Sequence, residues 1–173
     1  MQVDLGSGKS MHELSLKGRA LRLLGMREHS RVELERKLKT HAPAPGQLAQ
    51  ALDELQAKGL INEQRVVESV INRRSAKLGA ARIRQELQSK GLDAGAVKDA
   101  VAALQGTELD RAREVWRRKF GAAVSVPLQA DGAVELGKQM RFLAARGFGA
   151  DTIRRVVAGA PDCQDLDPDG PRG

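Results

Sequence analysis

The chain has 173 residues and a formal net charge of +7; it is 41% hydrophobic but only 2% aromatic, with no Tyr and one Cys. A core so poor in rings must be built from Leu, Val, Ile and Ala, which favours helices packed through aliphatic stripes over sheets of aromatic and β-branched residues. Cys163 alone excludes an internal disulfide and fits a reducing compartment, and no apolar run approaches membrane-spanning length.

The excess of Lys and Arg points to an anionic partner, nucleic acid first. No signal-peptide pattern opens the sequence, so a cytoplasmic location without a membrane partner is expected. Residues 1–12 are polar and Gly-rich and read as a disordered leader. Gly6-Ser7-Gly8-Lys9-Ser10 resembles the end of a phosphate-binding P-loop, but Val3 stands where that pattern needs its first Gly.

A first helix is expected from about Leu14 to Met26, with Leu16, Ala20, Leu23 and Leu24 on one side. Ser30 and Glu33 form a capping-box pattern that starts a second helix, in which Leu34 and Leu38 lie one turn apart. The turn His41–Gly46 offers Pro45 as the first helical residue of a third helix, which carries Leu48, Leu52 and Leu55 and stops at Gly59. Asn62 can cap a fourth helix with Val66, Val67, Val70 and Ile71 on its apolar side. A fifth spans Ala80 to Lys90 with Ile83 and Leu87, and ends at Gly91. Asp93 caps a sixth bearing Val97, Val101 and Leu104; Thr107 or a neighbour caps a seventh bearing Ala112, Val115, Trp116 and Phe120. Residues 121–133 read as a long connection. An eighth helix holds Leu136, Met140 and Leu143 and stops at Gly147; Asp151 opens a ninth with Ile153, Val156 and Val157. The tail 161–173 is rich in Pro, Gly and Asp and reads as disordered.

These stripes repeat. Shifted by 49 residues, Leu34, Leu38, Leu48, Leu52 and Leu55 fall on Ile83, Leu87, Val97, Val101 and Leu104. Shifted by 56, Leu87, Gly91, Leu92, Val97 and Val101 fall on Leu143, Gly147, Phe148, Ile153 and Val157. The expected fold is therefore all-α, three tandem three-helix repeats over 13–61, 62–106 and 107–160, in an elongated, curved helical array free of right-angle crossings.

Several stretches together resemble the RecX family of regulatory proteins. They are Leu23-Leu24 with Arg27-Glu28-His29-Ser30-Arg31, Glu33-Leu34 and Lys37-Leu38, then Gly59-Leu60-Ile61-Asn62-Glu63. Arg82-Ile83, Glu86-Leu87 and Lys90-Gly91-Leu92 follow, and then Phe142-Leu143, Arg146-Gly147-Phe148 and Ile153. Asn62 stands where the family often has Asp, and the connection before the eighth helix is long. The resemblance implies three three-helix repeats and a modulator, usually an inhibitor, of the RecA recombinase, lying in the groove of the RecA–DNA filament.

No catalytic residues, metal ligands or cofactors are expected. His12, His29 and His41 and the lone Cys have no ligand spacing, and His29 fits a turn position better than a site. The basic residues are the candidates for partner and DNA contact: Arg73, Arg74 and Lys77, then Arg82 and Arg84, across one turn; Arg111, Arg113, Arg117 and Arg118 on the seventh helix; Arg141 and Arg146; Arg154 and Arg155. A preference for Arg over Lys suits phosphate and carboxylate partners. The aromatic side chains fall on apolar stripes or helix stops, so DNA contact should be to phosphates, weak and without sequence preference. Two functions fit: a monomeric regulator of the RecA filament, or a sequence-independent helical DNA-binding protein. Against base reading by the second helix, Glu33 and Glu35 occupy its start.

Overall fold

The computed structural model describes residues 15–121 and 132–159. The leader with His12, most of the 121–133 connection and the tail with Cys163 lie outside the described residues. The elements are α1 (Leu16–Met26), α2 (Arg31–Leu38), α3 (Gln47–Ala57), α4 (Glu63–Arg74), α5 (Ala80–Ser89), α6 (Ala94–Ala103), α7 (Glu108–Phe120), α8 (Gly132–Ala145) and α9 (Ala150–Val157). Short 3-10 turns occupy Lys39–His41 and Gln105–Thr107. The fold is all-α, with no strand among the described residues.

Helix starts follow local side-chain chemistry. The Ser30 hydroxyl accepts from the Glu33 N–H while the Glu33 carboxylate accepts from the Ser30 N–H, a complete capping box. Asn62 accepts from the Arg65 N–H and Asp93 from the Ala96 N–H, both at 3.0 Å. Three expected starts differ. Gly46, at φ 82°, caps α3, leaving Pro45 outside the helix. Thr107 makes no side-chain cap, because its hydroxyl donates to the Leu104 carbonyl and accepts from Arg111 Nε. Gly149 caps α9, and Asp151 lies within the first turn.

Glycine ends the helices that precede α6 and α9. Gly91 and Gly147 have φ of 69° and 81°, a conformation that only glycine adopts cheaply. A Cβ at Gly91 would meet Val32 Cγ2 at 2.5 Å, and one at Gly147 would lie 2.5 Å from the Arg82 backbone nitrogen. The same stop bond recurs at Gly59 and Gly147: Leu60 N donates to Leu55 O, and Phe148 N to Leu143 O.

Two compact units divide the chain. Among the described residues, the first holds those up to Ser69 together with Lys90–Leu92; the second holds Val70–Ser89 and those from Asp93 on. In the first, Ala20, Leu34, Leu38, Leu52, Leu55 and Ile61 form a buried core, covered by Leu23, Leu24 and Leu48. In the second, α5 packs on α6 with Ile83, Leu87, Val97 and Val101 buried. A further core there joins Ala112 and Val115 to Leu143, Phe148, Ile153 and Val156. The positions related by 49 residues are alike in burial, apart from Leu48, which is half-buried where Val97 is buried. The expected apolar side of α8 is only partly used: Leu143 is fully buried, but Leu136 is 45% and Met140 37% exposed.

The first unit contains a buried ionic cluster. Glu33 Oε1 accepts from Lys90 Nζ at 2.7 Å and from Arg27 Nη2 at 2.9 Å. The Ser30 hydroxyl donates to the Lys90 carbonyl at 2.6 Å. His29 fills the turn between α1 and α2, its Nδ1–H donating to the Arg27 carbonyl at 2.9 Å. Burial lowers the His29 pKa. Burial alone would raise the Glu33 pKa, but Arg27, Lys90 and the Ser30 N–H together hold it down at about 2.

Two outcomes follow from this packing. Leu87→Ala should cost roughly 2–5 kcal/mol in equilibrium denaturation, as expected for a fully buried Leu; a loss under about 1 kcal/mol would place Leu87 outside a core. Glu33→Gln should also destabilise by about 3–5 kcal/mol at neutral pH, because it leaves Lys90 buried without its anion. A depressed carboxylate pKa stabilises the fold above the ordinary carboxylate range, and that stability is lost as pH falls towards about 2. The gap between parent and Glu33→Gln should therefore close by on the order of 3 kcal/mol as pH falls through that range. A gap that stays constant with pH contradicts this reading.

Candidate nucleic-acid and partner interface

All thirteen basic candidates fall in the second unit. Its most basic element is α7, with five basic residues against three acidic ones. Ala112 and Val115 anchor its buried side. Trp116 Nε1–H donates to Gln139 Oε1 at 2.9 Å, and Phe120 meets Phe142 edge to face at 5.0 Å. Packing these rings inward turns Arg117, Arg118 and Lys119 to solvent and leaves Arg113 half-buried. Glu114 is shared: its Oε2 takes Arg117 Nη1 at 2.7 Å and its Oε1 takes Arg118 Nε at 2.8 Å. Arg113 lies 3.7 Å from Asp110. One carboxylate between two guanidiniums leaves net positive charge, and exposed pairs of this kind are worth only about 0–1 kcal/mol each. A phosphate can therefore displace them.

A second basic region forms where two glycine-containing turns meet. Gly79 N donates to the Arg146 carbonyl at 2.9 Å and Ala81 N to the Gly147 carbonyl at 3.2 Å. This backbone pairing brings Arg82 beside Arg146–Gly147. Arg73, Arg74, Lys77, Arg82 and Arg84 are all exposed, with Arg74 paired to Glu86 at 3.0 Å and Arg82 donating to Gln85 at 2.7 Å. The Arg146 guanidinium lies 3.6 Å over the Phe142 ring, a cation–π contact that fixes it in place. Arg141, Arg154 and Arg155 are exposed on α8 and α9, with Arg154 3.4 Å from Asp151.

Arg111 corrects the sequence expectation. Its guanidinium turns inward and donates to the carbonyls of Ser75 at 3.0 Å, Leu78 at 2.8 Å and Leu104 at 3.0 Å. Burial lowers its pKa. These acceptors lie just past the C-terminal ends of α4 and α6, where helices leave carbonyls without partners. Arg111 satisfies them and leaves the candidate surface.

Comparison with known proteins decides the kinship. The family model for the third three-helix domain of RecX matches residues 107–157, and that for the second three-helix domain matches 62–101. The regulatory protein RecX of Leptothrix cholodnii is 53% identical over 145 residues, covering 84% of this chain and 88% of the relative. The chain belongs to the RecX family of regulatory proteins. The regulatory protein RecX of Herminiimonas arsenicoxydans is 44% identical over 153 residues, covering 88% of this chain and 97% of that one. Among solved structures, RecX from Lactobacillus salivarius aligns with a TM-score of 0.65 over 83% of this chain and 93% of its own, at 20% identity, so the RecX fold persists where sequence has diverged.

Among the described residues, no group of three or more His, Cys, Asp or Glu side chains could hold a metal, and no helix is long and apolar enough to cross a membrane. The basic candidates read from the sequence include none of the first unit. Arg19 and Arg22 on α1 and Lys37 on α2 line one groove. The three-residue spacing of Arg19 and Arg22, one helical face, was the available signal.

Arg111→Ala should destabilise the fold by about 1–3 kcal/mol, because the Ser75 and Leu78 carbonyls lose the donor that it supplies. Arg117→Ala on the same helix should stay within about 0.5 kcal/mol, as an exposed site does. Thermal or denaturant melts of the two single variants check this contrast, and equal costs would contradict it.

Proposed function

We propose that this chain binds the RecA recombinase on its DNA filament and inhibits its ATPase, recombination and strand-exchange activities. On this reading it acts in the cytoplasm as a monomer, with no catalysis of its own. The observation that carries the proposal is RecX kinship along most of the chain, up to 53% identity over 84% of it. We further propose that the three repeats span 13–61, 62–106 and 107–160. The family resemblance supplies the partner, and the surface supplies a means of contact. Arg113, Arg117 and Arg118 reach phosphates or acidic protein faces from α7, and Arg73, Arg74, Lys77, Arg82, Arg84, Arg141, Arg146, Arg154 and Arg155 extend the basic ground.

DNA contacts under this proposal are to phosphates, weak and sequence-independent, since the aromatic rings of α7 and α8 pack against one another instead of offering faces to bases. The alternative of a helix reading the major groove is not favoured. In α2 Glu33 is buried in its ionic cluster and Glu35 pairs with Arg31 at 2.9 Å, so the start of that helix presents no base-reading set.

The test is RecA strand exchange with a variant carrying Arg113→Glu, Arg117→Glu and Arg118→Glu. Its melting should stay close to that of the parent, while inhibition weakens and each lost phosphate contact lowers the salt slope by about one unit. Reversal should act more strongly than Ala replacement, because it adds repulsion from the same anionic partner. If the folded triple variant inhibits as well as the parent at physiological salt, this face of α7 is not a contact surface.

A further inference from the structure

We propose that the groove between α2 and the start of α3, in the first unit, docks a segment of another protein that carries an aliphatic or aromatic side chain beside carboxylates. The inference goes beyond the reading above, which places its contacts in the second unit and leaves this groove unused. The groove has a volume of about 530 Å³. Val32, Leu48 and Ala49 form its apolar part, and Glu35, Arg36 and Lys39 stand around them.

Local structure sets the apolar part in place. Val32, Glu35, Arg36 and Lys39 follow at intervals of three, one and three residues, so they share the side of α2 turned away from the buried Leu34 and Leu38. Val32 is 43% exposed, and its inner edge rests on Gly91, where a Cβ would come within 2.5 Å of Val32 Cγ2. A side chain already wedged in this way loses little freedom when a partner arrives. Leu48 covers the core of the unit and stays half-buried. Helix packing does not demand this apolar ground. At the shift of 49 residues Val32, Leu48 and Ala49 fall on Ala81, Val97 and Lys98, so the second repeat has a smaller residue at two of the positions or a cation at the third.

Charge decides the occupant. Glu35 is the one carboxylate among the lining residues, and Arg31 Nε holds it at 2.9 Å. The exposed Arg36 and Lys39 therefore give the rim a net positive charge. Their aliphatic stems also lengthen the apolar walls. An apolar centre inside a charged rim is the plan of a protein–protein contact. A second copy of this chain would bring its own +7 to a positive rim. Single-stranded nucleic acid would find no ring to stack on, because no lining residue is aromatic. A segment that sets Leu or Phe against Val32, Leu48 and Ala49, with Asp or Glu against Arg36 and Lys39, matches both parts of the groove.

The test measures binding of a labelled peptide, in which Leu and Phe alternate with Glu, to the full chain by fluorescence anisotropy at physiological salt. It compares the parent with Arg36→Gln/Lys39→Gln, with Ala49→Glu, and with Lys58→Gln/Lys98→Gln, an equal loss of charge at exposed lysines outside the groove. Each variant is checked by melting. Ala49 is exposed in the first turn of α3, where a carboxylate is favourable, so Ala49→Glu should fold like the parent. The expected result is a Kd raised about three- to tenfold by the Arg36/Lys39 pair and about tenfold or more by Ala49→Glu. The Lys58/Lys98 pair should stay within about twofold, because distant exposed charges are screened. Replacing Leu and Phe of the peptide by Ser should weaken binding by about tenfold or more. No binding to the parent, equal binding to parent and folded groove variants, or equal binding of the Ser peptide would overturn the proposal. So would a Lys58/Lys98 pair as weak as the Arg36/Lys39 pair, since net charge alone would then be acting. An oligonucleotide whose affinity falls with Ala49→Glu, or a dimer that Ala49→Glu breaks, would give the groove to another occupant and overturn it too. No RecA enters these measurements, so their failure is distinct from failure of the reading above.

Discussion

One buried carboxylate holds the entry of the chain into its first unit. Glu33 caps the start of α2 through Ser30 and receives Arg27 from the end of α1 and Lys90 from far along the sequence. Three ions taken from water would be unfavourable if any were left without partners. Here the lone pairs and protons are matched, and among the described residues no buried side-chain polar atom lacks a hydrogen bond. The consequence is directional. Hydrophobic contacts among Ala20, Leu34 and Leu38 would tolerate small rotations of α1 against α2, whereas hydrogen bonds of 2.7–2.9 Å do not. The cluster therefore sets the relation of the two helices whose outer faces carry Arg19, Arg22 and Lys37.

The net charge of +7 is distributed unevenly, and the distribution matters more than its sum. Some cations are structural: Arg27 and Lys90 at Glu33, Arg111 on three carbonyls, Arg65 on the Gly59 and Leu60 carbonyls and on Glu28. Their removal weakens the fold and says nothing of a partner. Others are exposed and paired to carboxylates on the same helix, where binding of a phosphate requires exchange of one weak ion pair for another. Counting basic residues cannot separate these classes, since Arg111 and Arg117 are identical in sequence terms and opposite in role.

What the sequence made legible was local. Apolar stripes placed the helices, and Ser30, Asn62 and Asp93 placed their starts because a cap is decided within three residues. Gly91 and Gly147 were legible as stops because a left-handed residue is decided by its own φ. Elements governed by distant partners were not legible. Lys90 reads as an ordinary basic residue near a helix end; only folding brings it to Glu33, 57 positions away. Arg111 looked outward by helical spacing, yet the carbonyls of Ser75 and Leu78 draw it in. Leu136 and Met140 share a helical stripe with Leu143, but only Leu143 meets a facing core. Pro45 failed as a helix start because Gly46 takes the cap with a positive φ that no stripe encodes. The candidate surface was legible in composition, since basic residues cluster along α7, but not in the orientation of each side chain, since Arg111 turns inward while Arg117 and Arg118 face solvent.

Kinship and fold place this chain among RecX regulators, and its proposed target is RecA bound to DNA. The most direct measurement is DNA-dependent ATP hydrolysis by RecA during titration with the purified full chain. The account predicts that hydrolysis falls at amounts well below one chain per RecA subunit, and that the chain alone hydrolyses no ATP. Hydrolysis that stays unchanged up to equimolar chain, under conditions where the chain is folded and RecA is on DNA, would contradict it.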